Sequence, residues 1–168
     1  MKKLTVIFLW AVFCLALSFG VAQAADKFGS VDIMRIASEY NKAKDYNKTI
    51  EGKANAVDSE IEKKKNEIKQ MQDKIGILSD KEREAKLPEF NNKVKALQEF
   101  IRQKEMDLRK QDLDNSKILA DDIRNAISQY AAKEGYTIVL DDRSMIYQAK
   151  GYDITDKIVD ILNKGYKR

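Results

Sequence analysis

The chain has 168 residues, with 31 Lys and Arg against 27 Asp and Glu and a net charge of +4. It has no His, and its single Cys, Cys14, lies in the N-terminal segment that is predicted below to be removed. The commonest zinc sites, the Ser-His-Asp triad and a cysteine nucleophile are therefore excluded. Basic and acidic residues are interspersed and not clustered, which is unlike a nucleic-acid-binding surface. We expect a protein that is not an enzyme, needs no cofactor and binds no nucleic acid.

Residues 1–24 have the pattern of a secretory signal peptide. Two lysines open the segment, the apolar stretch Leu4–Val21 follows, and Ala22-Gln23-Ala24 has the small residues of a cleavage site. The alternative is an uncleaved membrane anchor, but no positive stop-transfer cluster follows the apolar stretch. We therefore predict a secreted protein.

Cleavage after residue 24 leaves 144 residues without Cys, Trp or His. It removes two of the 31 basic residues and none of the 27 acidic ones, so the net charge falls to +2. A secreted domain without Cys must be stabilised by packing or assembly and not by disulfides.

The first predicted elements are a strand at Phe28–Ile33 and a helix from about Ala37 to Leu78. The strand shows apolar residues alternating with small or polar ones. The helix shows a seam, a line of positions at seven-residue spacing, and eleven of its thirteen positions are apolar or aromatic. The seam consists of Ile36, Tyr40, Ala43, Asn47, Ile50, Ala54, Val57, Ile61, Lys64, Ile68, Met71, Ile75 and Leu78. Such a helix reaches roughly 60 Å and needs a partner along one side.

The tip of a helical hairpin is predicted between Gly76 and Pro88. Ser79 and Glu82 have the three-residue spacing of a capping box, so a second helix begins there. Pro88 lies just inside this helix and is expected to kink it or to shift its start.

The second helix carries a matching seam that weakens between Arg102 and Lys117. Its members are Leu87, Phe90, Val94, Leu97, Ile101 and Leu108 before the weak stretch, and Leu119, Ile123, Ala126 and Tyr130 after it. The long step from Leu108 to Leu119 is a stutter in the seam. Two interpretations stay open: the helices separate or flex there, or the supercoil changes locally.

The C-terminal part is predicted to form two strands and a helix. Gly135 ends the second helix as a left-handed cap, and strands Tyr136–Leu140 and Ser144–Gln148 follow. Asp153 is expected to cap the last helix. The apolar face of that helix carries Ile154, Ile158, Ile161 and Leu162.

The predicted fold class is α+β. Residues 25–37 and 135–168 form a small β/α body, and residues 38–134 form one long, coiled-coil-like helical hairpin arm. A body of about 47 residues is marginal as an independent core. We therefore expect oligomers that share apolar faces or strand edges between subunits.

Two charged motifs could carry function, and each has a simpler structural explanation. Asp141-Asp142 could be a catalytic carboxylate pair, but Asp is also common in turns between strands. Lys63-Lys64-Lys65 could contact nucleic acid, lipopolysaccharide or phospholipid headgroups. Its alternative is a solvated face on which Lys64 occupies one seam position.

An apolar cluster lies near the predicted tip and is called the tip cluster below. Flexible Met and Ile side chains on a long arm suit an adaptable apolar grip on other chains. Ordinary packing along the seam is the alternative. The tip cluster consists of Met71, Ile75, Leu78 and Phe90.

Several segments resemble the Skp/OmpH family of periplasmic chaperones. They are the signal peptide, the stretch FGSVDIMRI at Phe28–Ile36, the charged hairpin, and the ending YTIVLDDRSMIYQAKGYDITDKIVDILNK. The most specific parts are Val31-Asp32 and the closing pattern Tyr-x-Ile-Val-Leu-Asp … Asp-Ile-Thr-x-x-Ile-Val-x-x-Leu-Asn. The resemblance covers essentially the whole chain after residue 24.

The resemblance implies a homotrimer whose β body is shared among subunits and whose arms enclose a cavity. Phe28, Val31 and Ile33 would lie in the strand that helps build the trimer body, and residues 37–132 would line the cavity. It also implies a periplasmic holdase that binds unfolded outer-membrane β-barrel proteins without ATP and prevents their aggregation before membrane insertion. The tip cluster would contact these clients.

Two other functions stay open. The chain could be a structural coiled-coil scaffold of the envelope with a folded partner, or an envelope-surface protein in peripheral contact with the membrane or lipopolysaccharide through Lys63-Lys64-Lys65. Members of the family can be much more basic than a net charge of +2. This argues against strong electrostatic attraction to acidic clients or lipopolysaccharide.

Overall fold

The computed structural model describes residues 26–167, so the predicted signal peptide lies outside the described residues. In chain order the elements are β1 (Phe28–Val31), α1 (Ile33–Glu39), α2 (Asn41–Gly76), α3 (Asp80–Glu134), β2 (Ile138–Asp141), a 3-10 turn (Asp142–Ser144) and α4 (Thr155–Gly165). The chain is mostly helical. Helices α2 and α3 pack together as a long arm, and β1, β2, α1 and α4 form a small body at its base.

Strands β1 and β2 form a two-stranded parallel sheet in which Phe28 pairs with Ile138. The second edge of β1 is occupied by the segment before α4. There the Ser30 N–H donates to the Tyr152 carbonyl at 2.8 Å, and the Ile154 N–H donates to the Ser30 carbonyl at 2.9 Å. Strand β1 therefore has neighbours on both sides.

The prediction of a strand at Ser144–Gln148 is wrong. Strand β2 ends at Asp141, whose carboxylate accepts a hydrogen bond from the Arg143 N–H at 3.2 Å and so starts the 3-10 turn. Gln148 is then hydrogen-bonded through its side chain to the Ser30 hydroxyl. Because side chains project from the face of a sheet, this contact holds the segment over the face and away from the strand edges.

The first strand is also shorter than predicted, and Ile33 does not belong to it. Asp32 caps α1, since its Oδ1 accepts a hydrogen bond from the Arg35 N–H at 2.8 Å. The backbone therefore turns into a helix directly after Val31, and Ile33 is the first residue of α1.

The core lies where the arm meets the body. It is built by Val31, Ile36, Tyr40, Ala43, Ile123, Ala126, Ile154, Ile158, Val159 and Leu162. Ile154, and not Asp153 as predicted, stands at the N-cap position of α4. Asp153 still supports this helix start, because its Oδ1 accepts a hydrogen bond from the Thr155 N–H at 2.8 Å. Since α2 and α3 contribute to this core, the base of the arm and the body stabilise each other.

The long helix predicted from about Ala37 is interrupted near its start. Helix α1 ends at Glu39, α2 begins at Asn41, and Tyr40 between them has an extended backbone with φ −67° and ψ 120°. Ala37 therefore lies in a short helix of the body and not in the arm. Seam spacing alone did not reveal this break, because both helices place their apolar residues towards one core.

The arm tip matches the prediction. The chain turns between Gly76 and Asp80, and the Glu82 carboxylate accepts hydrogen bonds from the Ser79 N–H at 3.2 Å and from Ser79 Oγ at 2.5 Å. Helix α3 starts at this capping box and runs through Pro88 to Glu134. Pro88 therefore does not shift the start of the helix. Gly135 ends it in the left-handed conformation, with φ 73°.

The two arm helices stay in contact within the weak stretch of the seam. Lys53 Nζ of α2 donates to Gln111 Oε1 of α3 at 2.7 Å. Gln111, Asn115 and Leu119 are half-buried at successive four-residue steps. The seam thus continues through polar side chains with a stutter, which favours a local change of supercoil over separation of the helices.

Candidate functional site

The tip cluster is only partly a single surface. Met71, Ile75 and Leu78 line an open groove of about 470 Å³, whereas Phe90 is half-buried outside this lining. Ile75 is 9% exposed and forms part of the groove floor. Met71 and Leu78 are the more accessible apolar side chains of the groove.

Two apolar residues near the tip were not singled out as contact residues from the sequence. Ile77 lies in the turn and is 86% exposed, and Leu87 of the predicted seam is 41% exposed. Ile77 lies off the seven-residue spacing, so this spacing does not predict it as a contact residue. A large apolar residue directly after Gly76, in a turn, was the available signal.

Lysines surround the apolar groove. Lys74, Lys86 and Lys93 belong to its lining together with Glu67. Lys86 Nζ lies 3.1 Å from Glu89, and Lys93 Nζ lies 3.9 Å from Glu67. Exposed ion pairs of this kind are worth about 0–1 kcal/mol, so these lysines can exchange partners easily. The groove therefore combines an apolar floor with a positive border.

The run Lys63-Lys64-Lys65 does not form one basic surface. Lys64 turns towards α3, where its Nζ lies 4.9 Å from the centroid of the Phe100 ring. Lys65 lies 2.8 Å from Glu62 on its own helix. One lysine of the run is thus a seam residue, and another is paired on the helix surface.

The three residues expected in the trimer body have different surroundings. Phe28 is 45% exposed, Val31 is 2% exposed in the core, and Ile33 is partly buried against that core. Val31 therefore packs inside the core of its own chain. Phe28 alone of the three presents a largely exposed side chain.

Strand β2 adds exposed apolar residues that were not among the predicted contact residues. Ile138, the register partner of Phe28, is 45% exposed, and Leu140 is 43% exposed. Residues two apart in a strand share a face, so we define the body face as Phe28, Ile138 and Leu140. Ile146 and Tyr147, in the segment that follows, are exposed as well. The two-residue periodicity of the strand at 136–140 is the sequence pattern that indicates this face.

Asp141 is the last residue of β2 and Asp142 is the first residue of the 3-10 turn, so the pair lies at a turn, although the segment after this turn is not the predicted strand. A hydrogen bond from Arg143 lowers the pKa of Asp141, and the Arg143 Nη2–Asp141 Oδ2 distance is 2.7 Å. Burial, followed by the charges of Asp32 and Asp141, raises the pKa of Asp142. Among residues 26–167, no group of three His, Cys, Asp or Glu side chains is arranged to hold a metal ion.

Comparison with known families decides which family the chain belongs to. Residues 27–162 match the family model described as outer membrane protein (OmpH-like). The chain belongs to the OmpH-like family. Two relatives of this OmpH-like chain are both named Chaperone protein Skp and come from Photorhabdus laumondii subsp. laumondii and Photorhabdus luminescens. Each is 31% identical, over 161 and 164 residues, with 89% of this chain and 93% of the relative covered.

The OmpH-like chain is also similar to a solved structure. This is the crystal structure of a protein from Caulobacter crescentus CB15 described as an OmpH-like outer membrane chaperone. The TM-score is 0.78 at 13% sequence identity, with 87% of this chain and 89% of the other chain covered. The similarity establishes the shared fold.

None of the helices in residues 26–167 is both long and apolar enough to cross a membrane.

Proposed function

We propose that this OmpH-like chain is an ATP-independent holdase of the periplasm. It binds unfolded outer-membrane β-barrel proteins between its arms and prevents their aggregation before membrane insertion. The observation that carries the proposal is the long arm, which leaves large apolar side chains exposed along its length. These are Ile77, Leu87, Met106, Leu113 and Ile118. The relatives named Chaperone protein Skp and the signal-peptide pattern of residues 1–24 support it.

The physical chemistry of the client fits such an arm. Strands of an outer-membrane barrel alternate apolar and polar residues, and in water their apolar side chains and free edges aggregate. Scattered apolar residues on a charged helical surface offer many weak contacts, which suit an extended client better than one deep pocket does. Insertion of the barrel into the membrane removes the apolar surface, so release needs no nucleotide.

We propose further that three subunits assemble through their bodies. The body face exposes Phe28, Ile138 and Leu140, and within the described sheet β2 is paired on one edge only. Exposed apolar strands with a free edge are a common site of association. Three bodies joined in this way would place three arms around a common cavity.

The holdase test uses the absence of Trp after residue 24, since the only Trp is Trp10. A urea-unfolded, Trp-containing barrel protein is diluted into the chain without ATP, and light scattering and client Trp emission are followed together. We expect suppressed scattering and a soluble, unfolded client. Unchanged scattering would overturn the proposal and favour a scaffold with a folded partner.

The contribution of the tip groove is tested with the double variant Met71→Ser and Leu78→Ser. We expect weaker suppression of scattering, because the groove loses its accessible apolar side chains. The matched control replaces Gln72 and Asn92, exposed polar residues at the same level of the arm, with Ser. Equal loss in both double variants would argue against a specific apolar contact.

The assembly is tested with Leu140→Asp, followed by sedimentation. A charge on the body face should convert the trimer to monomers, whereas Lys95→Asp on the exposed surface of the arm should not. A wild-type chain that sediments as a monomer at all concentrations would exclude the trimer.

A second candidate function is contact with anionic envelope lipids. The positive border of the tip groove, formed by Lys74, Lys86 and Lys93, favours it. Binding to lipopolysaccharide should then weaken steeply with salt, because exposed charges are screened within about 8–10 Å at physiological ionic strength. Client binding through apolar contacts should persist at the same salt concentrations.

A further inference from the structure

The body and the arm are joined at two points, one between two helices and the other at the end of a helix. Tyr40 links α1 of the body to α2 of the arm and is extended. Gly135 follows α3 and has a left-handed backbone before β2. Backbone rotation at Tyr40 and Gly135 would change the direction of the arm relative to the body.

The interruption at Tyr40 leaves backbone groups without partners in their own helices. A helix cannot satisfy the last carbonyls at its C-terminus or the first N–H groups at its N-terminus. Tyr40 stands at the N-cap position of α2 but makes no side-chain capping hydrogen bond. The start of α2 thus depends on a residue from elsewhere.

Asn163 of α4 supplies the missing contacts on both sides of the interruption. Its Oδ1 accepts a hydrogen bond from the Asn41 N–H, the first of α2, at 2.7 Å. Its Nδ2 donates to the carbonyl of Glu39, the last residue of α1, at 3.2 Å. One amide therefore bridges body helix and arm helix with an acceptor and a donor at once, which neither an aliphatic side chain nor a carboxylate can do.

Aromatic and charged contacts surround this bridge. Tyr40 is 4% exposed, its hydroxyl donates to Asp122 Oδ2 at 3.1 Å, and its ring packs edge-on against Tyr166 at 6.1 Å. Lys42 Nζ donates to the same Asp122 oxygen at 2.7 Å. These contacts tie the joint to α3 and to the end of α4, and they leave the Asn163 amide in a partly buried position.

We propose that Asn163 is a positioning residue that sets the angle at which the arm leaves the body. Helix α2 has 36 residues and is therefore about 54 Å long, so a rotation of about 5° at its root moves the tip by about 5 Å. Small changes at Asn163 thus alter the width of any space between arms. The inference concerns the arm angle and goes beyond the proposed holdase function.

The arm angle is measured as a distance between two spin labels in a background without Cys14. One label replaces Lys81 near the tip and the other replaces Lys157 in α4; both side chains are exposed. Labelled chain is diluted into excess unlabelled chain so that distances within one subunit are read. The wild type should give one narrow distance distribution, and Asn163→Leu should give a distribution that is shifted or broadened by several ångströms.

Asn163→Asp separates the hydrogen-bonding role from simple packing. An ionised carboxylate can accept from the Asn41 N–H but cannot donate to the Glu39 carbonyl, whereas a protonated carboxyl can do both. The distribution of Asn163→Asp should therefore be broad at neutral pH and become narrow on acidification, with the wild type as reference at each pH. Asn125→Asp, on the exposed surface of α3, is the control and should match the wild type throughout.

Each outcome decides the inference. A wild-type distribution in folded Asn163→Leu and Asn163→Asp would overturn it, and so would a broad Asn163→Asp distribution that acid does not narrow. If Asn163→Leu fails to fold, the acid response of Asn163→Asp still decides. Because the readout is a distance and not client binding, failure of the holdase assay leaves this test unaffected.

Discussion

Lys64 of α2 places its ammonium nitrogen 4.9 Å from the centroid of the Phe100 ring on α3. Lys104 of α3 approaches the same ring at 5.5 Å. The one Lys of the first seam thus does not interrupt the contact between the arm helices. It replaces an apolar contact with a cation–π contact, in which the lysine stem packs and the charge faces the ring.

We predict a favourable coupling between Lys64 and Phe100 of about 0.5–1 kcal/mol. The measurement is a double-mutant cycle of Lys64→Met and Phe100→Leu, with the free energy of unfolding obtained from urea titrations. Both substitutions keep apolar volume in the seam, so the cycle isolates the cation–π contact. Additive effects of the two changes would show that the pair is merely adjacent.

The capping box at the tip should control local fraying of the arm. Hydrogen bonds from Ser79 lower the pKa of Glu82, so this carboxylate stabilises the helix start above its unfolded pKa and loses that effect as the pH falls through its folded pKa. Glu82→Ala should speed hydrogen exchange of the first backbone amides of α3 at neutral pH. At acidic pH, the protection factors of these amides in the wild type should approach those of the variant. Glu84→Ala in the same turn is the control and should exchange like the wild type.

Gly29 should not tolerate a side chain. An added Cβ would lie 2.9 Å from Cε1 of Tyr136, in a core where neighbours cannot move freely. Gly29→Ala should therefore lower the free energy of unfolding by about 1–3 kcal/mol. Gly52→Ala is the matched control, since nothing lies within 4 Å of its added Cβ, and it should stabilise α2 by about 0.5–1 kcal/mol. Equal effects at the two glycines would contradict the steric explanation.

Alkaline pH should weaken the joint between body and arm. Burial, followed by the charge of Asp122, raises the pKa of Tyr40 from 10.0 to about 12. A phenol with a higher pKa in the folded chain stabilises the fold below pH 10, and this contribution is lost as the pH rises through about 12. Urea midpoints should therefore fall more steeply over this range in wild type than in Tyr40→Phe. Tyr147→Phe, at an exposed position, should keep the wild-type slope.

The arm was predictable from the sequence because its signals are local. Seven-residue spacing, a capping box and Gly135 each act within a few residues, and they placed the hairpin, its tip and its end correctly. The polar seam positions Gln111 and Asn115 were not predictable in the same way. Their burial depends on what the opposite helix offers, as Lys53 does for Gln111.

The body was harder to predict because its contacts join distant parts of the chain. The segment 144–148 has strand-like composition, but the hydrogen bond between Ser30 and Gln148 holds it over the sheet face. The interruption at Tyr40 depends on Asn163, more than a hundred residues later. The exposed apolar residues Ile77, Ile138 and Leu140 were not predicted, because their exposure depends on the turn or on the sheet. Client contact by the tip cluster stays a prediction.

The parallel pairing of β1 with β2 has a consequence for biosynthesis. Lys27 Nζ donates to the Glu134 carbonyl at 2.9 Å across 107 residues of chain. Strand β1 is therefore synthesised before the whole arm, and it cannot pair with β2 until the arm is complete. Contacts within a hairpin form sooner than such distant ones, and a closed hairpin brings the two ends of the loop together. The closed arm thus brings β1 and β2 together, and the body forms on it. A chain truncated before β2 would carry an arm with an unpaired first strand.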